Sequence, residues 1–149
     1  MPDKKTLERA DQDKREGKSP STQAGEFVRE EMEHIREGKH GARSAKQAIA
    51  IGLSKARRAG VALKVPREGT VPAETRRHAQ HDSAVGAKGA EAPSPKRSRA
   101  TLSALKREGR SAASTAALSR QTKAAAKKRT AADRSAAARK AARTRSRGE

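Results

Sequence analysis

Apolar residues of this chain gather into two amphipathic stretches and little else. Val28, Met32 and Ile35 recur at i, i+4 and i+7 with Phe27 beside them, one stripe at the helical period. Ser21 or Thr22 is placed to cap that helix, and the pattern carries it to Glu37. Glu26, Glu30, Glu31 and Glu33 lie in its early and middle turns, where the positive end of the helix dipole favours acids, and Gly38 stops it. A second stripe, Ala45, Ala48, Ile49, Gly52, Leu53 and Ala56, mixes small and large residues, so a partner helix can approach closely. Ser44 with Gln47 forms a capping box at its start, Arg57 and Arg58 fall in its last turn, and Gly60 ends it. Two such helices joined by a short Gly-containing turn predict an αα-hairpin over residues 21–63.

The flanking pattern is polar. Residues 1–20 form a charged arm in which only Leu7 and Ala10 are apolar, with weak i,i+4 support from Glu8–Gln12 and Arg9–Asp13. A frayed, solvated helix is expected there. Residues 64–100 are rich in Pro, Gly and Ala with mixed charge, the composition of a disordered linker. Residues 101–149 form the tail. From residue 96 to the end, Leu102, Leu105 and Leu118 are the only large apolar residues among many alanines, lysines and arginines. Ala, Lys and Arg are strong helix formers, and Thr130 with Asp133 makes another capping box, so a nascent helix is expected.

With 32% hydrophobic residues and Phe27 as the sole aromatic, the chain offers little apolar surface to offset ordering entropy. The expected fold class is therefore mostly α with extensive disorder: a small αα-hairpin, a disordered linker, a basic nascent helical tail and no large core. The tripeptide Arg-Glu-Gly occurs at Arg15–Gly17, Arg36–Gly38, Arg67–Gly69 and Arg107–Gly109, each at or near the end of a helical segment. It reads as helix punctuation, since a phosphate cradle would need more glycines at fixed spacing after a strand.

Charge changes the picture most. The chain carries 36 Lys+Arg against 17 Asp+Glu, a net of +19. Residues 1–63 carry +4, residues 64–95 carry +1 and residues 96–149 carry +14. Such a tail attracts polyanions, and phosphate neutralisation with counterion release needs no fold. The expected partner is nucleic acid, bound through Lys96, Arg97, Arg99, Lys106, Arg107 and Arg110. Arg120, Lys123, Lys127, Lys128 and Arg129 continue the series, followed by Arg134, Arg139, Lys140, Arg143, Arg145 and Arg147. Arg43, Lys46, Lys55, Arg57 and Arg58 of the hairpin would assist. Without aromatics in the tail to stack on bases, duplex DNA is favoured over single strands. Binding to RNA or the ribosome, and a hydrophilic stress-protective role, stay open as alternatives.

Other chemistry finds little support. There is no Cys, hence no disulfide or thiolate site. His78-x-x-His81 with Asp82 has ligand-like spacing but sits in the linker without a third ligand on a rigid element, and His34 reads as a solvated partner of Glu30. No metal, cofactor, small-molecule substrate or catalytic residue is expected, nor an enzyme. No run of 18 apolar residues and no apolar leader is present, so a membrane is not an expected partner. The expected location is the cytoplasm, on the nucleoid, and a hairpin this small is expected to homodimerise or order on a partner.

Two resemblances add to this. Arg43–Gly60, "RSAKQAIAIGLSKARRAG", resembles the box R-x-x-K-Q-A-I-A-I-x-L-S-x-A-R of short basic bacterial proteins of uncharacterised function. Arg43, Lys46, Gln47, Ala48, Ile49, Ala50, Ile51, Leu53, Ser54, Ala56 and Arg57 match, while Lys55 departs, since Glu is common there. The likeness covers residues 25–63 and implies a compact helical module and a bacterial source, with no established activity. The tail is similar in composition to linker-histone C-terminal domains and bacterial histone-H1-like proteins, and Ser94–Arg99, "SPKRSR", resembles the Ser-Pro-basic-basic element of histone tails.

Overall fold

The computed structural model describes residues 1–89 and 93–147. Seven α-helices are found among them: α1 Lys4–Arg15, α2 Pro20–Arg36, α3 Ala45–Arg58, α4 Ala73–Ala87, α5 Pro95–Lys106, α6 Thr115–Lys127 and α7 Ala131–Arg147. A short 3-10 turn, Ser111–Ala113, follows α5. The chain divides into two units, Met1–Ser114 and Thr115–Glu149.

Local chemistry sets the helix ends. Ser19 caps α2 by accepting from Thr22 N, with Pro20 in the first turn. Ser44 caps α3 by accepting from Gln47 N at 3.1 Å, and the Gln47 side chain in turn accepts from Arg43 N at 2.7 Å. After α1 and α2 the chain reverses through Gly17 and Gly38, at φ +71° and +77°. There Lys18 N donates to Asp13 O and Lys39 N to His34 O, the paired closure that a left-handed residue permits.

In the first unit α1 packs on α2, α2 on α3, and α3 on α4. The buried positions of α2 include Ala24, Phe27, Glu31 and Ile35, and those of α3 are Ala45, Ala48, Gly52 and Ala56. Both sets step by three, four and four, so each helix presents one straight stripe. Gly52 lets the two backbones nearly touch, since a methyl added there would lie 2.7 Å from Val28 Cα. Phe27 and Ile35 are fully buried, each contributing about 1.5–3 kcal/mol of transfer free energy. Ala10 of α1, Ala24, Ala56 and Val61 complete the cluster around Phe27, with Leu7, Leu53 and Leu63 packed against it.

The expectation of extensive disorder is overturned: 72% of the described residues are helical, and none of them forms a strand. Residues 1–20 are not a frayed arm, because Thr6, Ala10 and Asp13 of α1 are buried. The segment expected as a disordered linker carries α4 and the start of α5; only its residues 90–92 lie outside the described part. Helix α4 docks on α3 through Ala79, which is buried, and Gly86, whose missing side chain leaves room for the Arg57 carbonyl. Ser54 Oγ donates to Asp82 Oδ2 across the same contact at 2.6 Å. The expected absence of a large core rested on counting large apolar residues. Alanine buries less area per residue, but it also loses no side-chain entropy and permits close backbone approach. Among the described residues, nine of the thirteen buried hydrophobics are alanine. Residues 105–113 likewise belong to the folded unit: Gly41 N donates to Leu105 O, Ala42 N to Gly109 O, and Arg36 Nε to Ala113 O.

Candidate functional site

The cations singled out from the sequence divide into two environments. Arg43 and Lys46 are exposed at the start of α3. Lys55, further along α3, turns inward: its Nζ lies 2.7 Å from Glu31 Oε2 and 3.4 Å from Glu30 Oε1. Arg57 is half-buried, and desolvation holds its guanidinium below the usual arginine range, opposed by the charge of Asp82. Arg58 reaches Asp82 at 3.7 Å. The geometry therefore brings Arg43 and Lys46 to solvent and commits Lys55 and Arg58 to carboxylates of their own unit.

From α5 onward the cations are exposed. Lys96, Arg97 and Arg99 lie in the first half of α5, where Ser94 accepts from Arg97 N and so makes "SPKR" a helix start. Lys106 ends α5, and Arg107 and Arg110 lie in the turn that follows. Within the second unit, Arg120, Lys123 and Lys127 are three and four residues apart on α6 and share one face. Lys128 and Arg129 follow at its end. On α7, Arg139, Lys140, Arg143 and Arg147 fall on one side, with Ala136, Arg139, Lys140 and Arg143 lining a shallow groove, while Arg134 and Arg145 point the other way. Neither α6 nor α7 has a buried residue. The seventeen residues of α7 make a rod about 25 Å long. In the first unit, by contrast, ion pairs run from the head of α1 to Asp82 of α4.

A second cluster was missed by sequence reasoning. Glu31, expected as a dipole-complementing acid, occupies the core stripe between Phe27 and Ile35 and is fully buried. Glu30 beside it is 3% exposed. His40, from the α2–α3 turn, is buried, with Nε2 3.2 Å from Glu31 Oε1 and Nδ1 3.1 Å from the Gly41 carbonyl. His34 is not a solvated partner of Glu30: its Nε2 lies 3.3 Å from Asp3 Oδ2, and its ring stands edge-on to His40 with centroids 6.0 Å apart. Asp3 N also donates to Glu30 Oε2 at 3.1 Å, which ties the head of α1 to α2. At the rim, a hydrogen bond from Lys39 to Glu37 raises the ammonium above the usual lysine range. The signal was present in the chain: counting three, four and four from Ala24 passes through Glu31. His78 and His81, the spaced pair, are both exposed on α4, with Glu74 3.6 Å from His78 Nε2.

Residues 17–68 match the model of a family of unknown function, DUF6496. The matched part holds α2, α3 and the turn between them, and with them the buried cluster except Asp3. It agrees with the expected likeness to an uncharacterised family, and it ends well before the basic tail. No curated protein and no solved structure matches the chain. Among the described residues no helix is long and apolar enough to cross a membrane.

Proposed function

We propose that this chain binds duplex DNA without sequence preference, as a nucleoid-associated protein of the cytoplasm with a histone-H1-like tail. The observation that carries the reading is the exposed cationic faces of α6 and α7, on helices with no buried residue. Such rods need no base contact to bind. Each phosphate neutralised frees condensed counterions, and the slim alanine surface lets the helix lie close to a backbone. The net +14 of residues 96–149 supplies the driving charge, while Arg43 and Lys46 add a smaller patch on the first unit. The tail composition, which resembles that of linker histones, supports the same reading.

The test is binding of the full chain to random-sequence duplex across a salt series. Log affinity should fall linearly with log salt, with a slope of about −0.9 per phosphate contacted. Replacing Arg139, Lys140 and Arg143 with Gln should flatten the slope by about 0.9 for each phosphate no longer neutralised. A salt-independent affinity, or a strong preference for structured RNA over duplex in competition, would overturn the reading.

A further inference from the structure

We propose that Glu31, His34 and His40 form a binding site for a zinc-like divalent cation inside the first unit. The argument begins with hydrogen-bond direction. The Gly41 carbonyl can only accept, so the hydrogen on His40 sits on Nδ1 and the lone pair of the neutral ring sits on Nε2. That lone pair faces a carboxylate oxygen of Glu31 at 3.2 Å, with both side chains buried. Two electron-rich atoms do not rest at that distance in a dry interior without positive charge between them. What lies between them is a proton, carried by the ring or by the carboxyl, or a metal ion.

Geometry favours the metal. Neither Glu31 oxygen makes a hydrogen bond, although Lys55 and His40 lie within ion-pair distance, so an N–H on His40 would not be aimed at the carboxylate. Two ligands each about 2.0–2.1 Å from a tetrahedral centre stand about 3.3 Å apart, with the ion off the line that joins them. The 3.2 Å separation has that form. A third donor converges, since Glu31, His34 and His40 each offer one atom within 4.8 Å of the other two.

Charge and the surrounding shell agree. Two buried carboxylates, Glu30 and Glu31, share one ammonium, Lys55, which leaves a deficit of positive charge at the Glu31 oxygen that faces His40. Each ring is oriented by an acceptor, His40 by the Gly41 carbonyl and His34 by the Asp3 carboxylate, as metal-bound histidines are held. Two imidazoles and a carboxylate suit zinc or a neighbouring first-row dication, with the fourth position left to water. Because the ligands come from α2 and the α2–α3 turn, and Asp3 from the head of α1, the ion would pin three parts of the unit together.

The experiment uses the full chain with Zn2+ in calorimetry and with Co2+ as a spectroscopic stand-in. Expected are one ion per chain, a tetrahedral Co2+ absorption band and a raised melting temperature. His34→Gln and His40→Gln should abolish the band, Asp3→Asn should weaken binding by about tenfold, and the double variant H78Q/H81Q should leave it unchanged. If a ligand variant fails to fold, histidine 15N shifts of the unaltered chain decide. Shifts on zinc addition confined to His34 and His40 support the site. No band, or zinc shifts at His78 and His81 only, would overturn it, as would a His40 ring that stays doubly protonated when zinc is present.

Discussion

The units Met1–Ser114 and Thr115–Glu149 draw on similar small and charged residues and use them in opposite ways. In the first, alanine and glycine recur on one side of α3, where α2 packs, and carboxylates are placed against the cations Lys55 and Arg58. In the second, alanine is spread around α6 and α7 and the cations keep to solvent. The contrast shows that alanine content does not decide whether a helix packs. Register does: Ala45, Ala48, Gly52 and Ala56 make a flat face, whereas Ala131, Ala132, Ala136, Ala137 and Ala138 are dealt around the rod among arginines.

The largest effect should come from the buried charges that set the first unit apart. Lys55→Met removes the one ammonium between Glu30 and Glu31 and leaves both acids desolvated. Denaturant melts in metal-free buffer should show a loss of about 3–5 kcal/mol, the range for a broken buried pair. Neutralising Lys140 on α7 should leave the same melt unchanged. Equal sensitivity in the two places would erase the distinction.

Bulk added to the two kinds of alanine-rich surface should separate them next. Gly52→Val drives a branched side chain into the Val28 backbone and should cost about 1–3 kcal/mol in the same melt. Ala137→Val on exposed α7 should cost only helix propensity, about 0.5 kcal/mol, seen as a small loss of helical circular dichroism. A smaller change tests the dock of α4. Asp82→Ala removes the acceptor of the Ser54 hydroxyl and the partner of Arg58, so α4 amides should exchange faster, by a factor equivalent to about 1.5 kcal/mol.

These sites also mark what was legible in the chain. The capping box Ser44–Gln47 and the stop at Gly38 are local chemistry, and α3 starts and α2 ends close to where those residues put them. The start of α2 lay slightly earlier than Ser21, because Ser19 with Pro20 is the better cap. The docking of α1 and α4 was not legible, since it depends on Ala10, Ala79 and Gly86, which read as filler until a partner backbone lies against them. The carboxylate–histidine cluster was hidden for a related reason. Glu31 sits among Glu26, Glu30 and Glu33, and only its place in the stripe of Ala24, Phe27 and Ile35 tells it apart. The cationic face of α7, by contrast, follows from helical spacing alone, so the candidate interface was open to reading while the buried site was not.

The smallest effect belongs to the second unit and asks whether its helices stand on local chemistry. Thr130 Oγ accepts from Asp133 N at 3.1 Å and donates to Asp133 Oδ2 at 2.8 Å, while Thr130 N donates to the same carboxylate at 3.3 Å. Thr130→Ala removes two of these three bonds, worth about 1 kcal/mol at a helix start. In a helix buried against a core that loss is absorbed by packing. In α7, which has no buried residue, it acts directly on the helix–coil balance, so carbon chemical shifts of residues 131–136 should move toward coil while those of α2 and α3 stay fixed. Duplex DNA should restore them by neutralising the arginines. A response that spread into α2, or none in α7, would mean that the cap is not what holds the rod.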